Sequence, residues 1–166
     1  MNNVRIAAAA ICFSLSMSTL ISAAGVPKVL KPRLVLGDPV WREMPVRADL
    51  QSRYDRVWQT AVDTALEHNF EIATMDKSSG YLRTIPKADI VRLQTDWYYK
   101  VQVSIKLVTD TSAKTDPAPV TKVRLQVSGE VTNIDPRRGL RESYTGYDQI
   151  VLQNLFQDLQ AKLGSL

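Results

Sequence analysis

Hydrophobic and polar positions along this chain follow two rhythms after residue 48. Tyr54, Val57, Trp58, Ala61, Val62, Ala65 and Leu66 recur at intervals of three and four. That spacing lays one apolar stripe along a helix of 3.6-residue period. Asp49 or Ser52 is placed to cap its start, and Asn69 to stop it in the left-handed region. A second stripe, Val151, Leu152, Leu155, Phe156, Leu159 and Leu163, predicts a helix from about Tyr147 to Leu163, stopped by Gly164. Between the two stripes the rhythm becomes two. Tyr99, Val101, Val103, Ile105 and Leu107 alternate with Lys100, Gln102, Ser104 and Lys106. Val123, Leu125, Val127 and Val131 alternate with Lys122, Arg124, Gln126, Ser128 and Glu130. Alternation of this kind predicts two long strands, each with one buried and one wet face. The polar stretch 109–119 connects them.

The segment "FEIATMDKSSGYLRTIP", residues 70–86, reads as two short strands around a turn, with Gly80 at positive φ and Pro86 ending the second strand. Residues 87–96 read as an irregular connection. Residues 25–47 contain Pro27, Pro32, Pro39 and Pro45, which exclude a helix. The same segment carries Val29, Leu30, Leu34, Val35, Leu36, Val40 and Trp41, more apolar surface than a solvated linker needs. Two readings follow for this arm. It packs on its own domain, with a short edge strand around 41–47, or it binds a partner in extended form. The expected fold is α+β, with a two-layer domain at 48–166. An antiparallel sheet of about four to five strands would carry two helices on one face.

The first 24 residues stand apart. Arg5 is the only charge before Lys28, and Ile6 to Ala24 are apolar or small. This predicts a secretory signal peptide cut after Ala24, with an uncleaved N-terminal anchor as the alternative. Cys12, the only cysteine, follows Ile11 where lipid attachment requires a small residue. It therefore belongs to the signal, and the mature chain would have no disulfide and no thiolate metal site.

Composition excludes disorder: 45% of residues are hydrophobic and 23% charged. The net charge of +4 is spread along the chain and not clustered, which gives no case for nucleic acid. His68 is the single histidine and is expected as a surface or capping residue at a helix end. Without thiols or a second histidine, zinc has no ordinary ligand set. There is no G-x-S-x-G elbow and no glycine-rich phosphate loop. Asp76, Asp89, Asp96, Asp110, Asp116 and Asp135 fall in expected turns or loops, where aspartate serves the backbone. Arg137 and Arg138 fall in a turn and are expected to be solvated. No cofactor, metal or catalytic group is expected.

The run "YDRVWQTAVDTALEHNFEIATMDKSSGYLRTIP" combines a Val-Trp helix, an Asp-Lys turn and a Gly followed by an x-Leu-x-Thr strand. It resembles the helix-grip domains of the BamC-like bacterial envelope lipoproteins, and the likeness extends over about 48–163. The resemblance implies a non-enzymatic accessory subunit of an outer-membrane or cell-envelope complex, located in the periplasm near the membrane. Leu34, Leu36, Val40 and Trp41 of the arm, with Lys100, Lys106 and Arg124 of the wet strand faces, are the expected partner contacts. The alternative is a periplasmic carrier of a small apolar ligand or lipid, held between sheet and last helix.

Overall fold

The computed structural model describes residues 26–92, 96–135 and 140–166. The expected signal segment 1–24 and the Arg137–Arg138 turn lie outside these residues. In chain order the elements are β1 (Leu34–Leu36), β2 (Arg42–Pro45), α1 (Ala48–Gln51), α2 (Tyr54–Glu67), β3 (Ile72–Asp76) and β4 (Tyr81–Thr84). Then come β5 (Lys87–Arg92), β6 (Asp96–Thr109), β7 (Val120–Asp135), β8 (Leu140–Asp148) and α3 (Gln149–Ser165).

The two alternating segments form the spine. β6 and β7 pair antiparallel from Trp97↔Asn133 to Thr109↔Val120. They are long enough that each free edge takes two partners. On β6, β4 pairs at Ser104–Lys106 and β5 at Asp96–Val101. On β7, β2 pairs at Lys122–Leu125 and β8 at Gly129–Asp135. β3 extends from β4, and β1 from β8.

The result is one sheet of eight strands with three helices among the described residues. It corrects the expected sheet of four to five strands with two helices. The strands that hydropathy does not announce are β1, β5 and β8. "KADIVR" and "LRESYTGYD" show no strict alternation. A short strand laid beside a longer one needs no apolar face of its own. It forms because the backbone groups of the longer neighbour require partners.

Several boundaries move for local reasons. α3 starts at Gln149, because Tyr147 still pairs with Val35 and the Asp148 carboxylate caps the helix. Gly164 lies inside α3. α2 has no side-chain cap, and Ser52 instead closes the single turn α1. Asn69 at φ 58° and Gly80 at φ 67° take the left-handed conformations expected of them.

One apolar core joins all layers. Trp58, Ala61 and Ala65 of α2 and Leu152, Leu155 and Leu159 of α3 are buried with Val103, Ile105, Val123 and Leu125 of the spine. Val26, Leu30, Leu34, Met44 and Val46 belong to the same core. Each such side chain contributes roughly 1.5–3 kcal/mol of burial. The segment 26–47 is thereby fastened to its own domain, with β2 where a strand was expected.

Candidate functional site

The spine strands turn alternate side chains to opposite sides. Odd-numbered residues from Trp97 to Leu107 are buried on the helix side. Their even-numbered neighbours face outward. Lys100 opposes Glu130, Gln102 opposes Ser128, Ser104 opposes Gln126, and Lys106 opposes Arg124. Ser104 and Thr132 are buried, but the rest of this row is partly or fully exposed. No helix among the described residues covers it.

The predicted contact residues separate in the fold. Trp41, Glu43 and Arg124 meet on the outer face. The Arg124 guanidinium lies 5.3 Å from the Trp41 ring centre. Its Nε sits 3.0 Å from Glu43 Oε1 as an ion pair without hydrogen-bond geometry. Lys122 donates to Glu43 Oε2 at 2.8 Å. That hydrogen bond, with both neighbouring cations, holds the Glu43 carboxyl below its ordinary range. Lys106 belongs to the same face and donates to the Ser79 carbonyl. Lys100 stands further along, and Val40 is 51% exposed beside Trp41. Leu36 is half-buried against the core. Leu34, expected at a contact surface, is core at 4% exposure, because its side chain packs over Gly129.

Two chain crossings border the middle of this face. Gln126 donates to the Pro39 carbonyl at 2.9 Å, and Gln102 to the Thr84 carbonyl at 2.7 Å. Between Pro39 and Pro86 lies a trough of about 400 Å³ floored by Lys100, Gln102, Ser128 and Glu130. Aromatic area rims the face at Trp41, Tyr81 and Tyr98, with exposed Ile90 opposite Tyr98. Trp97, one residue from Tyr98, is buried on the other side and stacks on Tyr144 at 6.5 Å.

The helix side holds groups that hydropathy did not select. Asp148 is completely buried. Its Oδ1 accepts from the Ile150 and Val151 backbone at 3.0 and 2.9 Å. Its Oδ2 accepts from Tyr99 Oη at 2.7 Å and from Arg33 at 2.9 and 3.2 Å. Burial, together with the hydrogen bond and charge of Asp148, pushes the Tyr99 phenol far above its ordinary value. Beside this cluster a cleft of about 350 Å³ opens between β5, β6 and the facing ends of α2 and α3. His68 and Lys87 stand at its rim, and Phe70 and Val101 in its floor. His68 is held by Asp158 at 3.3 Å. An Asp before the apolar run "QIVLQNLF" is a capping signal that could have identified Asp148. No pattern in the sequence marks Arg33 or Lys87.

Among the described residues no three His, Cys, Asp or Glu side chains come together as a metal site. No described helix is long and apolar enough to cross a membrane. No protein-family model matches this chain, and neither does any curated protein.

Proposed function

We propose that this protein is a non-catalytic, periplasmic subunit that docks on an outer-membrane or cell-envelope protein complex. The observation that carries the reading is the outer sheet face, left free of helices and rimmed by Val40, Trp41, Tyr81 and Tyr98. Tyr, Trp and Arg side chains are enriched at protein interfaces, and this face presents all three. Lys100, Lys106 and Arg124 give this face its basic character and would favour a partner of acidic surface. The resemblance of 54–86 to envelope lipoproteins points to the compartment.

A photo-reactive residue placed at Lys100, with a second at Gln153 on α3 as control, tests this in cells. The expected result is one discrete envelope-protein adduct from position 100 and none from position 153. The reading fails if position 100 captures nothing or both positions capture the same background. Trp41→Ser should weaken the adduct without changing the folded content.

A further inference from the structure

The cleft between β5 and the ends of α2 and α3 lies on the side of the sheet opposite the outer face. Lys87 and Asp89 register with Val101 and Tyr99, the buried row of β6. Whatever occupies this space is independent of the docking reading.

The cleft has an apolar floor and a polar rim. Phe70, Tyr99 and Val101 are buried beneath it, and Val151 closes one side. Its volume of about 350 Å³ falls at the small end of the range for ligand sites.

The rim decides the class of ligand. Four acidic or phenolic groups lie in or against it, and most of their capacity is already used. Asp148 accepts from Arg33, Tyr99 and two backbone amides. Asp158 engages His68 at 3.3 Å and Lys162 at 3.2 Å. Asp89 Oδ1 accepts from the Ile90 amide at 2.8 Å, leaving one oxygen at the rim. Tyr99 Oη donates its one hydrogen bond to Asp148.

The donors are less used. Lys87 Nζ stands 5.7 Å over the Phe70 ring and makes no ion pair among the described residues. Arg33 spends Nε and one terminal nitrogen on Asp148, and its other terminal nitrogen bonds no described residue. Asn154 adds an amide at the rim with no described partner. Charge-bearing donors thus exceed free acceptors above an apolar floor, and a ligand that accepts and is apolar elsewhere satisfies both.

We propose that this cleft binds a small amphiphilic carboxylate. Its head lies between Lys87 and Arg33, and its apolar body rests on Phe70, Val101 and Val151.

Amide chemical shifts of the purified chain, titrated with octanoate, octan-1-ol and octylammonium, test the assignment. Octanoate should shift Lys87–Asp89 and Val151–Asn154 saturably, and octylammonium should not. Lys87→Glu should weaken octanoate by about tenfold, since it replaces an attraction by a repulsion in a half-enclosed site. Asp89→Asn should tighten it about two- to threefold by removing the negative charge at the rim. Both positions are exposed, so neither change should unfold the chain. The proposal is overturned if octanoate gives no saturable shift at the cleft. It is also overturned if octylammonium matches octanoate, or if the two variants change affinity in the same direction.

Discussion

Arg33 and Glu43 each tie the N-terminal arm to the sheet through ion pairs, ten positions apart in one segment. Arg33 reaches a carboxylate with no exposed side-chain surface. Glu43, 44% exposed, meets Lys122 and Arg124, which are 41% and 39% exposed. The chemistry is the same and the surroundings differ. The Arg33 tie also closes a buried network through Tyr99 and the α3 cap, and the Pro32 carbonyl accepts from Gln149 beside it. In a weakly polarisable interior a charge deprived of its partner is costly. On the outer face water supplies most of what the partner gives. The first tie should therefore decide whether the arm belongs to the fold, and the second only how Trp41 is presented.

The sharpest way to break this contrast is Asp148→Ala. It removes the cap of α3, strands the Tyr99 hydroxyl and frees Arg33. The expected loss is about 3–5 kcal/mol by denaturant unfolding, within the range for disrupted buried pairs. Gly146→Ala attacks the same anchor sterically. A Cβ there would lie 2.0 Å from the Val35 carbonyl oxygen, so β1 must leave β8. A loss of about 1–3 kcal/mol is expected. Hydrogen exchange should accelerate over 26–36 and not over 42–45.

Tyr99→Phe is smaller and has a pH signature. The phenol ionises less readily in the folded chain than in the unfolded one. The native state therefore holds a proton that the unfolded state releases above pH 10, so stability falls as pH rises beyond that point. The Phe variant should lose about 1.5–3 kcal/mol at neutral pH, the worth of a hydrogen bond to a charged group. Its alkaline decline between pH 10 and 11.5 should be shallower by up to about 1.4 kcal/mol per pH unit. An unchanged alkaline slope would show that burial and Asp148 do not hold the proton on Tyr99.

Glu43→Gln is expected to leave the thermal midpoint indistinguishable from wild type in moderate salt. A clear drop would mean that the outer tie is as costly to break as the inner one. The weakest effect concerns the hairpin turn, where the Ser78 hydroxyl, then Ser79, hold the Asp76 carboxyl at about 2. A depressed carboxyl stabilises the folded state above pH 3.8, and this support fades as pH falls toward about 2. Ser78→Ala should raise the Asp76 midpoint toward the ordinary value, as read by carboxyl chemical shifts.

The sequence by itself determined the spine and its two covering stripes. Val101 to Leu107, Val123 to Val131, Val57 to Ala65 and Leu152 to Leu163 each repeat at the period of their element, because burial selects one face at a time. It also determined Gly80 and Asn69, where the backbone needs positive φ and few residues tolerate it. Tertiary structure alone decided β1, β5 and β8, since each is specified by the unpaired backbone of its neighbours and not by its own side chains. It alone placed Arg33 against Asp148, 115 residues away, and Lys87 over Phe70. Contacts so distant in sequence leave no local period to read. The outer face lies between these cases. Its alternation is written in the strands, but the meeting of Trp41 with Arg124 exists only because β2 pairs beside the spine.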